Sequence, residues 1–278
     1  MYEQVVTLVT HPFVYIPVLA FLVLYIVIAP ALIHFILKMK ANPDLKVIDF
    51  EQIDLPIEVE SHFAETGKQL QQLGFDFLNG IALPSPVSST SMVLQYWFNT
   101  SHKTSAVSLV VFSDTGKKIA PGTSPITEYK VSFSTDFMDG TSLESSNAKQ
   151  TGAFPIAEYR QVYNLYWINE LAKIYQFHEA CRQDLELFSE ADHQIVSRYH
   201  WDARAEMFES MQKEYEYACQ TGFLKLNARG DLYRTTLKGC TLLIWNELPP
   251  LLQLNNWKAR RKVIKKAIEL DVVNCLKV

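Results

Sequence analysis

The chain has few cysteines, and they lack the spacing of a disulfide framework or a zinc site. Its 278 residues include four, Cys181, Cys219, Cys240 and Cys275, with no CxxC pair. Disulfide-rich domains and zinc ribbons need cysteines in closely spaced pairs. We therefore expect four reduced thiols that serve as small apolar side chains.

Motifs for nucleotide binding, metal binding and nucleophilic catalysis are also missing. Gly67-Lys68 and Gly116-Lys117 lack the upstream glycine and the following Ser or Thr of a phosphate loop, and GxSxG does not occur. His178 and Cys181 share one face of a predicted helix, but no second pair completes a metal site. The sequence predicts no metal and no cofactor, and it favours a protein that is not an enzyme. Many active sites leave no local motif, so this evidence against an enzyme is weak.

Charge is absent from one long stretch near the N-terminus. Residues 13–33 are 21 consecutive positions without Asp, Glu, Lys or Arg. As a helix they would span about 31 Å, which matches a bilayer hydrocarbon core of about 30 Å. The stretch lacks the basic flank and the cleavage site of a signal peptide. The sequence therefore predicts a single transmembrane helix over 13–33, within an anchor region of residues 1–40.

The charges that flank this stretch predict its orientation. Lys38, Lys40 and Lys46 follow it, and no Lys or Arg precedes it. Positive charge favours the cytoplasmic side of a membrane. We expect a single-pass protein of the cell membrane, with its N-terminal tail outside and its soluble region in the cytoplasm.

The net charge of −4 argues against a nucleic-acid partner.

The first soluble part reads as an antiparallel α+β domain over residues 57–152, after a linker over 41–56. An apolar stripe closed by Gly74 predicts a helix at about 57–73. Residues of alternating polarity, separated by turn-forming residues, predict strands and then a hairpin turn at Asp139-Gly140. These strands are expected at about 75–83, 91–99, 105–113 and 126–137. The fold class is α+β, with a helix covering one face of an antiparallel sheet.

Residues 153–278 read as mostly helical. Helical spacing predicts helices at about 157–188, 193–221, 238–248 and 256–270. Between the second and third of these, Gly222 to Gly239 reads as a small β-hairpin and is similar to the wing of winged-helix proteins. Because the charge of this hairpin is nearly balanced, we expect it to serve packing or protein contact rather than DNA binding.

The last predicted helix is basic and amphipathic. Its apolar side chains fill one arc, and the opposite arc holds Lys258, Arg261, Lys262, Lys265 and Lys266. Such a helix either packs on its own domain with the lysines in solvent, binds a partner groove, or lies on anionic lipid. These five residues are the candidate contacts with a lipid surface or a partner.

Two segments carry a resemblance to a group of proteins. They are Val131 to Asn147, VSFSTDFMDGTSLESSN, and the Gly222 to Gly239 hairpin that precedes a Trp-containing helix. In these segments the chain resembles bacterial single-span membrane proteins to which no activity is attached. The resemblance implies the architecture described above and transfers no functional residues. We expect a membrane-tethered interaction or regulatory module with a protein partner. The alternatives are an enzyme at the membrane face and a subunit of a membrane complex.

Overall fold

The computed structural model describes most of the chain beyond the predicted span. It covers residues 28–276 except 51, 84–89, 114–124, 150–153, 189–201 and 249–250, together with residues 16, 20, 23 and 24. Contacts group the chain into two compact units. One comprises Met1–Ala41 with Tyr215–Gln253, and the other Asn42–Glu214 with Leu254–Val278. The sequence predicted consecutive domains with a boundary at 152/153 and gave no sign that each unit is built from two separate segments of the chain.

The larger unit contains a seven-stranded sheet and its helices. Its strands are β2 (Lys46–Ile48), β3 (Asp76–Leu83), β4 (Thr90–Asn99), β5 (Thr104–Ser113), β6 (Ile126–Asp136), β7 (Ser142–Ser146) and β8 (Arg160–Asn164). Its helices are α2 (Ile57–Gln72), α3 (Leu171–Phe188), the first part of α4 (Ala203–Gln220), most of α6 (Leu251–Glu269) and a 3-10 turn (Val273–Leu276). The predicted helix at 57–73 and the four predicted strands are confirmed within one or two residues.

The sheet is mixed rather than purely antiparallel. Its strands follow chain order, and every neighbouring pair is antiparallel except β7 and β8, which are parallel. The antiparallel part is a meander because its connections are short. The predicted hairpin turn joins β6 to β7, where Gly140 takes a positive φ of 86° and the Phe137 N–H donates to the Thr141 carbonyl.

The strand β8 overturns part of a predicted helix. Residues 157–170 were expected to be helical because the tyrosines at 159, 163 and 166 recur at helical spacing. Instead Arg160–Asn164 pairs with β7, and α3 begins only at Leu171. Val162 and Tyr163 favour a strand, and the pairing of this segment with β7 stabilises it as one. The spacing of residues along the chain does not reveal that pairing.

The first part of the predicted helix at 193–221 lies outside the described residues, and α4 begins at Ala203.

Helices cover both faces of the sheet, whereas the sequence predicted one covered face. On the first face α2, α3 and α6 bury an extensive core that includes Trp97, Phe133 and Phe177. On the opposite face Ala203, with Met207, Phe208 and Met211 of α4, packs on a second group of strand residues. That second group includes Ile81, Leu94 and Tyr96. Successive side chains of β4 and β5 point to opposite faces of the sheet, so these strands contribute buried residues to the cores on both faces.

The smaller unit is a three-stranded sheet with helices. Its strands are β1 (Lys38–Lys40), β10 (Leu232–Thr235) and β9 (Leu224–Leu226), in that spatial order, and its helices include α1 (Ala29–Ile36) and α5 (Leu237–Glu247). The predicted hairpin is confirmed as β9 and β10. The strand β1 was not predicted, nor was β2, which lies within the predicted linker over 41–56.

The predicted membrane span at 13–33 lies largely outside the described residues. Within the described residues, no helix is both long enough and apolar enough to cross a bilayer. The last residues of the apolar stretch are described and belong to α1, which ends at Ile36. Pro30, the second residue of this helix, is buried. The larger side chains Leu32, Phe35 and Ile36 on this helix are exposed.

Candidate binding cleft and buried polar network

An open cleft lies in the larger unit, between α2 and one edge of the sheet. Its volume is about 820 Å³, which falls within the range of ligand-binding clefts in proteins. Side chains of α2, of β2 with the residues that follow it, of β3 and of β4 line the cleft. The lining comprises Val47, Ile48, Asp49, Phe50, Gln52, Phe63, Ala64, Gly67, Lys68, Gln71, Phe77, Leu78, Asn79, Gly80, Gln95 and Trp97.

Two glycines allow the walls of the cleft to approach each other. A Cβ atom at Gly67 of α2 would lie 3.0 Å from Cζ2 of Trp97, so the helix packs directly on the indole ring. A Cβ atom at Gly80 of β3 would lie 2.4 Å from Cε2 of Phe50. A side chain at Gly80 would therefore displace its neighbours, and one at Gly67 would require a small shift of the indole ring.

Four aromatic side chains form a connected cluster within the apolar lining of the cleft. The rings of Phe50 and Phe63 have centroids 5.2 Å apart, and those of Phe77 and Trp97 are also 5.2 Å apart. Phe50 and Phe77 connect the two pairs at 6.1 Å. Phe77 is 44% exposed although it belongs to this cluster. The cleft thus presents an aromatic surface to solvent.

Polar groups lie at several positions along the lining of the cleft. At the floor, the indole N–H of Trp97 donates to Oε1 of the buried Gln95 at 3.3 Å. Lys68 and Gln71 are exposed on α2, and Asn79 is half-buried on β3. These groups, together with the Asp49 carboxylate, can donate and accept hydrogen bonds.

One wall of the cleft is a strand edge with an uncovered segment. The short strand β2 pairs with β3 only at Gly80 to Ala82. No other described strand pairs with the outer edge of β3 over Asp76 to Asn79, where the register with β4 shifts between Phe77 and Asn79. Uncovered strand edges are where extended peptides can add to a sheet.

A second constellation links α3 to the turn between β4 and β5. His102, in the turn, contacts the Glu179 carboxylate through Nδ1. The Arg182 guanidinium donates to both oxygens of the same carboxylate and, at 2.8 Å, to Glu186. Burial raises the pKa of the Glu179 carboxyl, but the hydrogen bonds from Arg182 and His102 outweigh it and hold that pKa below its usual value. His102 itself is 42% exposed at its side chain.

The polar network continues inward from Glu179 to a fully buried histidine. Thr104 hydrogen-bonds the hydroxyl of Thr135 at 3.0 Å, and Thr135 in turn contacts Nε2 of His178 at 3.0 Å. Nδ1 of His178 lies 3.2 Å from the hydroxyl of Ser145. Burial lowers the pKa of His178 to about 4, so its imidazole is neutral. Because both ring nitrogens of His178 are paired with hydroxyls, it is a structural residue of the sheet–helix interface.

The candidate metal residues do not form a metal site. In the residues that the structure describes, no group of three or more His, Cys, Asp and Glu side chains is placed to hold a metal ion. Cys181 is buried in the apolar core, where burial raises the pKa of its thiol to about 12. All four cysteines are free thiols, and only Cys219 is partly exposed.

The five basic residues of the C-terminal helix do not share one environment. Lys262 donates to the Val162 carbonyl at 3.1 Å, and Lys266 binds Asp184 at 2.7 Å, so both bind their own unit. The remaining three residues, Lys258, Arg261 and Lys265, are exposed. The Arg261 guanidinium lies over the Trp257 ring, and the Lys265 side chain is 82% exposed.

The expected apolar arc of this helix is divided as well. Val263 and Ala267 are buried, whereas Ile268 is 62% exposed. The buried face therefore combines two apolar side chains with the stems of two lysines, which can cover apolar surface while the charge finds a partner.

Comparisons with family models, with curated proteins and with solved structures found no match. The structural class of this protein is therefore described from its fold alone. The chain is an α+β protein with a mixed sheet, helices on both faces of that sheet, and a separate small three-stranded unit.

Proposed function

We propose that the protein is a membrane-tethered module on the cytoplasmic side of the cell membrane, and that its cleft binds an extended apolar segment of a partner protein. The tether is the charge-free stretch at 13–33, and the lysines that follow it support the cytoplasmic placement. The partner segment would lie between α2 and the uncovered part of β3.

The observation that carries this proposal is the pairing of an aromatic lining with an uncovered strand edge. Phe77 supplies both, because its ring lines the cleft and its backbone belongs to that edge. Peptides that add to a sheet gain affinity from main-chain hydrogen bonds and specificity from pockets for alternate side chains. Buried aromatic anchors supply much of the binding energy in protein interfaces.

The polar groups of this unit support a binder over an enzyme at the membrane face. Gln95 at the cleft floor is engaged by Trp97, and Lys68 projects from the exposed surface of α2. The pairing of His102 with Glu179 resembles a base with an orienting carboxylate, but neither residue lines the cleft. Because Arg182 already neutralises the Glu179 carboxylate, that carboxylate would add little to the basicity of the His102 imidazole.

Site-specific photocrosslinking in the full-length protein tests the proposal. A benzoylphenylalanine is placed at Gln71 or at Phe77, on opposite walls of the cleft, and at Tyr129 as an exposed position outside the cleft. We expect both cleft positions to crosslink to the same partner segment, and the position at 129 not to crosslink to it. The crosslinked segment is identified by peptide mass spectrometry and should be extended and apolar.

A variant that narrows the cleft provides the matched control. Ala64→Leu adds an apolar side chain on an exposed, cleft-lining position of α2, and Ala205→Leu makes the same change on an exposed position of α4. The first should reduce the crosslinking at Phe77 by about tenfold, which corresponds to about 1.4 kcal/mol of binding free energy, and the second should leave it unchanged. Equal crosslinking in the two variants, or equal crosslinking at positions 77 and 129, would contradict the proposal.

A further inference from the structure

A row of three basic side chains crosses the outer face of the small three-stranded sheet. Lys38 of β1 is the direct cross-strand partner of Arg234 in β10, and Arg234 is the direct partner of Lys225 in β9. Direct partners in an antiparallel pair project from the same face. All three side chains are exposed, so they lie side by side in solvent across the full width of the sheet.

The opposite face of this sheet packs inward, which fixes the direction of the row. Tyr233, Thr235 and Leu224 alternate with the basic residues and are buried. Tyr233 packs against Tyr215 of α4, with ring centroids 4.9 Å apart. The basic side chains therefore cannot turn into the core without reversing the register of the sheet.

The row has no charge partner in the described part of the chain. Lys38, Arg234 and Lys225 make no ion pair there, and Lys40, on the same face, makes none either. Strands lie about 4.8 Å apart, so the row places three like charges within about 10 Å. Like charges on directly opposite residues destabilise a sheet. A face that holds them in this arrangement is complementary to a surface of closely spaced anions.

The row is joined directly to the end of the apolar stretch. The helix α1 ends at Ile36, and Lys38 is the second residue beyond it. Nδ1 of His34, in the last turn of α1, donates to the Thr235 carbonyl next to Arg234. At about 3.3 Å per residue, Lys38 lies about 7 Å from the helix end. This distance is within the roughly 8 Å over which an anionic bilayer attracts positive charge at physiological salt.

From these observations we infer that the Lys38–Arg234–Lys225 row binds the anionic headgroups of the bilayer in which the protein is tethered. This inference rests on the tether of the proposed function. The row would hold the small unit against the membrane surface in membranes that contain acidic lipid, and would release it in neutral membranes. The position of the row just beyond an apolar stretch favours lipid over nucleic acid, whose phosphates would also suit it.

Amine labelling of the full-length protein in lipid nanodiscs tests the inference. One set of discs contains phosphatidylcholine alone, and the other contains phosphatidylcholine with phosphatidylserine. A membrane-impermeant acylating reagent modifies exposed lysines, and mass spectrometry gives the labelling rate at each site. We expect the rates at Lys38 and Lys225 to fall about fivefold in the acidic discs. The rate at Lys149, an exposed lysine of the larger unit, should fall less.

A charge variant that leaves the lysines next to the stretch in place provides the control. Lys225→Gln with Arg234→Gln removes two charges of the row and retains Lys38 and Lys40, which set the orientation. Lys149→Gln with Lys213→Gln removes two exposed charges elsewhere. The first variant should label at Lys38 equally fast in both kinds of disc, and the second should keep the wild-type difference.

The outcomes separate this inference from the proposed function. A protein that fails to enter either kind of disc overturns the tether and the inference together. A protein that enters the discs but labels at Lys38 and Lys225 equally in both overturns the inference alone. Protection of the two lysines by a DNA duplex, with none from acidic discs, also overturns it and assigns the row to nucleic acid.

Discussion

Gly67 of α2 lies against the indole ring of Trp97 on β4, so closely that a Cβ atom at Gly67 would be 3.0 Å from Cζ2 and 3.2 Å from Cη2. This contact sets the distance between the helix and the sheet at the floor of the cleft. Trp97 is only 4% exposed, so its ring has little room to move.

We predict that Gly67→Ala destabilises the protein although alanine favours helices. Overpacking costs about 1–3 kcal/mol, while the helix propensity gained is about 1 kcal/mol. The net loss should be about 1 kcal/mol in denaturant unfolding. A variant more stable than the wild type would show that the indole ring of Trp97 moves away at little cost in free energy.

The buried His178 predicts a specific dependence of stability on pH. Its folded pKa of about 4 lies below the unfolded value of 6.5, so the unfolded state binds more protons between those values. Stability should therefore fall as the pH falls from about 6.5 to about 4, by an amount on the order of 3 kcal/mol from this residue. Thermal melts of the wild type and of His178→Gln should differ in slope over this range. An unchanged slope in the variant would contradict the neutral, buried assignment.

The buried carboxylate of Glu144 predicts unequal effects at its two partners. Burial raises the pKa of its carboxyl, but the charges of Lys130 and Arg160 outweigh burial and hold that pKa below its usual value. Arg160 also pairs with Glu214, whereas Lys130 pairs only with Glu144 among the described residues. Arg160→Met should therefore cost about 3–5 kcal/mol, and Lys130→Met clearly less. Denaturant unfolding of both variants measures the difference, and equal losses would contradict the shared role of Arg160.

The cap of α5 gives a prediction for the small unit. Thr236 accepts a hydrogen bond from the Gly239 N–H at 3.0 Å and donates to the Gly222 carbonyl at 2.7 Å. Thr236→Ala should destabilise by about 1–2 kcal/mol, and Thr236→Ser should retain most of that stability. Thr241→Ala, which loses only a bond to its own helix, should change it by at most about 0.5 kcal/mol. Hydrogen exchange at β9 and β10 reports these changes, and equal exchange in the two alanine variants would contradict the cap.

The sequence predicted the elements that depend on local patterns. The strand β6 alternates polar and apolar residues, and Gly140 marks its turn, so both were placed within a residue. The strand β8 was missed because its pairing with β7 overrides the helical spacing of Tyr163 with the tyrosines on either side of the strand. The three-residue strands β1 and β2 are too short to show any period.

The candidate site was not visible in the sequence. The cleft draws Phe50, Phe63, Phe77 and Trp97 from separate segments, and no local motif relates them. His102 and Glu179 are 77 residues apart along the chain. The basic row needs the register of β1 with β10, whereas the C-terminal lysines, which the sequence singled out, include two that bind their own unit. Charge clusters along a helix can be read from a sequence, but charge clusters across a sheet require its topology.

The tether is the part of the account on which the proposed function and the basic row both depend. Alkaline carbonate extraction of membranes from cells that express the full-length protein tests it most directly. The wild type should remain in the membrane pellet. Val18→Arg with Leu24→Arg introduces two charges into the predicted span, where a charge costs about 2.5–3.5 kcal/mol at the centre and less towards the ends. This variant should move to the supernatant. Recovery of the wild-type protein in the supernatant would contradict the account.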